Sequence, residues 1–293
     1  MDNIYQFAFP LILAFIMMSM GLSLTLKNFK TLFIAPKVVF VGLIAQLVFL
    51  PITAYLLLAV FDLRWEFAVG FMLLAACPGA ATSNVATNLA NGDLALSVLL
   101  TAITSFITVF TIPQIVNFSL ARVGGEAVAF TLPIGKTMLQ IFLLTILPVC
   151  IGMVIRVKWE GFANRMEKPV KIISVVFLLL LMTGVVAKEF TTFKIALGSV
   201  GPFAITFNVV TMALGFLLAT LFAFSFKQKI TLAIEVGFQN VSLGLVIAMT
   251  LLKNVLFAYP SMIYIFFAYV TSGIIIIYRH RQKVEVGISE SRS

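Results

Sequence analysis

Charge is scarce in this sequence. Asp, Glu, Lys and Arg make up only 11% of its 293 residues, against about 25% in a typical soluble domain. There is one histidine, His280, and there are two cysteines, Cys77 and Cys150. Both cysteines fall inside hydrophobic runs, which argues against a disulfide framework. His280 lies between Arg279 and Arg281, a setting for a solvated residue rather than a metal ligand. No phosphate-binding Gly-rich loop, no dinucleotide turn and no Ser-His-Asp constellation is present, so neither ATP-driven pumping nor ordinary enzymology finds support and no cofactor is expected. Alternation of polar and apolar residues with period 2 is also missing, which argues against a membrane β-barrel.

What is present is apolar. Hydrophobic residues account for 61% of the chain, and the mean hydropathy is +1.13. These residues come mostly in blocks of about 17 or more, the length that crosses a bilayer as a helix. Nine blocks can be marked, near 7–26, 38–61, 67–89, 94–118, 137–157, 170–186, 196–224, 230–252 and 263–278. An all-α integral membrane protein of about nine transmembrane helices is expected, with the lipid bilayer as its first partner. The first block is too long for the core of a cleavable signal and is expected to remain as a helix.

The net charge of +9 does not point to nucleic acid. With the N-terminus outside, a nine-span arrangement puts Lys27, Lys30, Lys37, Arg156, Lys158, Arg165, Lys168, Lys171, Lys227 and Lys229 in inner loops. The tail adds Arg279, Arg281, Lys283 and Arg292, leaving Arg64, Arg122, Lys136, Lys188, Lys194 and Lys253 outside. Such a bias is the positive-inside pattern, and it predicts a multi-pass protein with its C-terminus in the cytoplasm; the short termini suggest the inner (cell) membrane. The segment Glu160–Glu167 is read as a cytoplasmic loop.

Two blocks break their own pattern. The third carries Cys77-Pro-Gly-Ala-Ala-Thr-Ser-Asn84, and the eighth carries Glu235-Val-Gly-Phe-Gln-Asn240. Proline removes a backbone donor and glycine loosens a helix. Interrupted spans at corresponding places in two halves point to a transporter's binding site. The bland alternative is that such residues only kink helices and glue them together. Two breaks about half a chain apart, each with several side-chain oxygens, weigh against it.

Glu235 is the one acid well inside a block, where an ionised side chain costs about 3 kcal/mol on insertion scales. No basic residue is expected mid-span to neutralise it. It must be protonated, open to an aqueous cavity, or matched by a bound cation. Gln46, Ser83, Asn84, Gln239 and Asn240 supply oxygens suited to a hard cation such as sodium. Ser97 and Thr101, at i and i+4, share a helix face. A proton would leave these amides and hydroxyls without a purpose.

Taken together, Met20-Gly-Leu-Ser-Leu-Thr-Leu26, Gly42-Leu-Ile-Ala-Gln46, Cys77-Pro-Gly79 with Ser83-Asn84, Gly92-Asp-Leu-Ala-Leu-Ser97 and Glu235-Val-Gly-Phe-Gln-Asn240 resemble the bile acid:sodium symporter family, in its nine-span bacterial-type form. The resemblance implies inverted repeats, a core and a panel domain, and two crossing discontinuous helices. It places panel segments at 1–34 and 130–190, core segments at 35–129 and 191–282, and a tail at 283–293. One sodium site looks like Ser83, Asn84, Ser97, Thr101 and Glu235. The other looks like Gln46, Glu235 and Gln239 with the carbonyls of Val236 and Phe238. Ala81, Thr82 and Asn240 fall on the substrate side.

Family members often read Gly-Gly-Thr-Ala-Ser-Asn at the first break, whereas this chain has Gly79-Ala-Ala-Thr-Ser-Asn84. A one-residue move at a helix start turns a side chain by about 100°, so the change touches the substrate contact and spares the sodium ligands. The expected activity is sodium-coupled import of an organic anion by alternating access, the anion being bile acid-like or a small carboxylate such as pantoate or a keto acid. A proton-coupled efflux permease of the arsenite type, with Cys77 as a soft ligand, is the alternative.

Overall fold

The computed structural model describes residues 3–25, 30–124 and 131–290. Asp2, Leu26, Lys27, Glu126, Arg292 and the expected domain boundary at 129/130 lie outside them. Among the described residues the fold is helical throughout, with one isolated antiparallel β-bridge, Gly79 to Gln239.

Among the described residues six helical segments are long and apolar enough to cross a membrane: Pro36–Leu58, Leu94–Val123, Ile134–Lys158, Glu160–Lys188, Phe190–Leu221 and Val255–Arg281. Shorter apolar helices run over Phe7–Ser23, Trp65–Ala76 and Val241–Leu251. The chain is an integral membrane protein. Large hydrophobic side chains such as Phe33, Phe40, Phe177 and Leu180 stand exposed on its outside, as lipid contact requires.

Three helices form one packed group. Helix α1 (Asn3–Ser23) packs on α9 (Ile146–Lys158) and α10 (Glu160–Lys188). Gly21 and Gly152 lie at the α1–α9 crossing, where a Cβ on either would collide with the other helix's backbone, at Val149 and Met18 respectively. Small residues let membrane helices approach this closely when no hydrophobic force drives them together. A second group is built from α5 (Trp65–Ala76) against α7 (Leu94–Val123), and from α11 (Phe190–Leu221) against α12 (Phe226–Gly237) and α14 (Tyr259–Glu290).

The third and eighth blocks are each two helices. α5 ends at Ala76, an extended stretch follows, and α6 starts at Ala81 and runs to Leu89. α12 ends at Gly237, and α13 (Val241–Val246) starts after another extended stretch. The second limbs end alike, with Asn91 (φ 55°) after α6 and Lys253 (φ 53°) after the π-helical turn Ile247–Leu251. Asp93 then accepts from Leu96 N to cap α7, and Asn254 accepts from Leu256 N to cap the next turn. Similar stop and start chemistry therefore closes both breaks.

The structure corrects one expectation. Glu160–Glu167 is not a loop: α10 begins at Glu160, only Trp159 separates it from α9, and Lys171 lies within the helix. α14 likewise stays helical to Glu290, through the first residues of the expected tail. Ala, Arg, Met, Glu and Lys favour helix, so these polar stretches extend the apolar helices instead of ending them. Hydropathy marks where a helix meets lipid, not where it stops.

Candidate functional site

The two breaks meet. Gly79 and Gln239 form the antiparallel bridge, and Asn240 N donates to Pro78 O at 2.8 Å. Cys77 and Ala80 have extended backbones (ψ 148° and 152°), the first as Pro78 demands of the residue before it. Two helix C-termini, of α5 and α12, and the N-termini of α6 and α13 thus converge on one point. Freed carbonyls and amides are tolerated at such depth only when buried in protein or lining a cavity.

Glu235, at the end of α12, is completely buried. Its Oε1 accepts from Ser83 Oγ and Ser97 Oγ, each at 2.6 Å, and its Oε2 accepts from Thr101 Oγ1 at 2.9 Å. The same hydroxyls also face other oxygens: Ser83 faces Ala80 O at 2.6 Å, Ser97 faces Asn84 Oδ1 at 2.8 Å, and Thr101 faces Asn84 Oδ1 at 3.4 Å. Each hydroxyl carries one proton. Three protons therefore serve six oxygen–oxygen contacts, so the cluster is short of positive charge. Among the described residues no Lys or Arg forms a salt bridge with Glu235.

Gly79 makes this approach possible. A Cβ there would stand 2.8 Å from Glu235 Oε2, 3.3 Å from Thr101 Oγ1 and 3.7 Å from Gln46 Oε1. Gln46 lies in a π-helical turn, Ala45–Phe49, and is buried with neither its Oε1 nor its Nε2 hydrogen-bonded. π-Turns inside helices are frequent at functional sites. Gln239 Nε2 donates to Val236 O at 2.7 Å, which fixes the amide and leaves its Oε1 buried without a partner. Orphaned buried oxygens are costly, and here two of them border the acid cluster's glycine or the bridge opposite it.

Ala81, Thr82, Phe238 and Asn240 face the other way. With Gln239 they line a cavity of about 320 Å³ bounded by α1, α10, α14 and the crossing. Asn240 Oδ1 accepts from Leu243 N, capping α13. The Phe238 ring meets Tyr269 edge-on at 5.2 Å. The sequence-selected residues thus divide into an inner oxygen cluster and a cavity wall.

Three supporting residues were not selected from sequence. Asn208 Nδ2 donates to Gly237 O at 2.7 Å and to Tyr264 Oη at 3.1 Å, and Tyr264 Oη donates to Gly237 O at 2.8 Å. Thr271 Oγ1 donates to Asn208 Oδ1 at 2.6 Å. Together they hold the last carbonyl of α12 just after Glu235. The only sequence signal was a lone amide in an apolar block. The charge pattern places Lys171 in an inner loop, whereas in the structure it borders the cavity.

Known proteins resemble this chain over most of its length. A rice (Oryza sativa subsp. japonica) protein described as a probable chloroplastic sodium/metabolite cotransporter is 29% identical over 251 residues, covering 85% of this chain and 58% of its own. An uncharacterised sodium-dependent transporter of Bacillus subtilis is 30% identical over 254 residues, 86% of this chain and 76% of its own. The human ileal sodium/bile acid cotransporter is 26% identical over 281 residues, 92% of this chain and 78% of its own. The chain spans 58% and 60% of the length of the two rice relatives it matches. Residues 10–195, more than half of the chain, match the Sodium Bile acid symporter family, and the chain belongs to that family.

Proposed function

We propose that the protein is a sodium-coupled symporter that imports an organic anion by alternating access. The observation that carries this reading is the buried Glu235 cluster, in which three hydroxyl protons serve six oxygen contacts. One proton on Glu235 would relieve a single surplus contact. A hard cation satisfies several oxygens at once, and the set is all oxygen. On this reading sodium occupies a first site of Ser83, Asn84, Ser97, Thr101 and Glu235. A second ion takes Gln46, Glu235 and Gln239 with the carbonyls of Val236 and Phe238, using the two orphaned amide oxygens. The organic anion sits in the cavity against Ala81, Thr82 and Asn240.

The architecture we propose is nine spans, counting each broken pair as one, in two inverted repeats. The π-turns at Ala45–Phe49 and Ile247–Leu251 and the matched endings at Asn91 and Lys253 support a repeat. The helices within 1–34 and 130–190, which include α1, Ile134–Lys158 and α10, correspond to the panel and the remainder to the core, with the N-terminus outside and the basic ends cytoplasmic. Two sodium ions entering with one monoanion carry one net charge, so 100 mV contributes about 2.3 kcal/mol to uptake.

Uptake into proteoliposomes under an imposed sodium gradient, with pH equal on both sides, tests the reading. Accumulation of an organic anion that follows the sodium gradient supports it. Accumulation that follows only an imposed pH gradient selects the proton-coupled alternative.

A further inference from the structure

Among the described residues Lys171 is the one basic side chain on the cavity wall. It lies on α10, one and two turns before Val175 and Leu178, which line the same cavity, so the three share a helix face. The intervening Ile172, Ile173, Val176 and Phe177 are exposed on the outside. The helix therefore turns Lys171, with Val175 and Leu178, toward the cavity and these four exposed apolar residues away from it. Nζ donates to Ala81 O at 3.2 Å, at the start of α6. That oxygen is neutral, so the bond orients the ammonium without cancelling its charge. Glu167, one turn earlier, acts on Lys171 electrostatically, but its carboxylate lies 4.0 Å from Arg156 Nη1. Among the described residues Lys171 forms no salt bridge.

A cation on a cavity wall inside a membrane protein marks a ligand path or a counter-ion. The rest of the wall is mixed. Thr82, Asn240 and Ser242 supply hydroxyls and an amide on one side, and Ile16, Met17 and Leu178 supply an apolar surface. The volume, about 320 Å³, is at the low end for small-molecule sites, which suits a short carboxylate with an apolar tail better than a fused-ring steroid conjugate.

Resting on the transport reading above, we propose that Lys171 is the specificity-determining residue for the anion. Its ammonium leaves Ala81 O and pairs with the carboxylate of a small monoanion, whose tail packs on the α1 and α10 surface. A single cation selects one negative charge; a second carboxylate would be left unpaired. Because Lys171 stands on α10 while Thr82 and Asn240 stand at the crossing, the bound anion also bridges the two helix groups.

The test uses the purified full chain, with melting temperature read against sodium and against a panel of small probes. The panel is α-ketoisovalerate, α-ketoisocaproate and pantoate, the amide of each, a short dicarboxylate and taurocholate. In the wild type, at least one monoacid stabilises in the presence of sodium, while its amide, the dicarboxylate and taurocholate do not. Lys171→Met weakens that acid by roughly thirtyfold or more and leaves the sodium titration without anion unchanged. That unchanged titration also shows that the variant is folded, and Lys171→Arg restores most of the affinity. Wild-type acid affinity in Lys171→Met overturns this inference alone, and so does stabilisation by taurocholate equal to that by the best acid, or by none of the monoacids. Absence of any sodium effect in the wild type instead overturns the transport reading itself.

Discussion

Replacing Glu235 with Gln keeps the shape of the side chain and one oxygen and removes the charge that two cations are proposed to share. At 4 Å and an effective dielectric constant of 20, that charge is worth about 4 kcal/mol to each ion, or about three powers of ten in affinity. The fold should survive. Ser83 keeps Ala80 O at 2.6 Å and Ser97 keeps Asn84 Oδ1 at 2.8 Å as acceptors, and a neutral amide is cheaper to bury than an anion. Sodium at a hundred times its dissociation constant stabilises the wild type by about 2.7 kcal/mol, and after a thousandfold loss the same concentration contributes about 0.1 kcal/mol or less. The assay is a sodium-titrated melting curve on purified wild type and Glu235→Gln, with potassium holding ionic strength constant, followed by uptake in proteoliposomes. A normal apo melting temperature with no sodium response and no uptake is expected. Wild-type sodium dependence in Glu235→Gln refutes the shared-ligand mechanism.

Gln46→Ala and Ser97→Ala each remove a ligand from a different proposed site, so each should lower the steepness of the sodium response toward one ion without abolishing binding; an unchanged Hill coefficient in both counts against two sites. Thr82→Ala should weaken anion binding several-fold and spare sodium binding, since Thr82 faces the cavity and Ser83 faces Glu235; equal loss of both contradicts that division. Gly79→Ala should disable sodium binding, because its Cβ would stand 2.8 Å from Glu235 Oε2, and a variant with normal sodium affinity refutes the close approach. Cysteine placed at Gly161, where a side chain meets nothing within 4 Å, should resist an impermeant reagent applied outside intact cells; efficient labelling inverts the proposed topology.

The site was legible in sequence where its cause is local. Pro78, Gly79 and Gly237 break helices by their own backbone chemistry, and Glu235 is conspicuous because acids are costly in lipid. Ser97 and Thr101 were found because i and i+4 share a face whatever the rest of the chain does. Asn208, Tyr264 and Thr271 were missed because their role depends on a carbonyl 27 to 29 residues away from two of them, which no window along the chain contains. Lys171 was missed for a different reason. It closes a run of basic residues whose charge reads as topology, and only the packing of α10 on α1 shows that its stem turns inward. The lengths of α10 and α14 were underestimated because hydropathy follows lipid contact and helix propensity does not.

The crossing offers a physical route for coupling the ion to the anion. Consecutive residues at the start of a helix differ by about 100° in direction, so Thr82 lines the cavity while Ser83 and, one further on, Asn84 reach the Glu235 cluster. On the opposite strand of the bridge, Gln239 contributes an orphaned oxygen and Asn240 caps α13 beside the cavity. In the proposed mechanism, a cation that gathers Ser83, Asn84 and Glu235 fixes the first turn of α6, and that turn presents the Thr82 hydroxyl to the anion. Ordering supplied by the first ligand need not be supplied by the second, which yields positive cooperativity without direct contact between them. Linkage makes the effect reciprocal: whatever factor sodium adds to anion affinity, the anion adds to sodium affinity. A continuous helix could not act this way, because its carbonyls and amides at mid-membrane would be bonded within the helix. The two breaks free those groups at one depth, and the Gly79–Gln239 bridge keeps the freed ends in register.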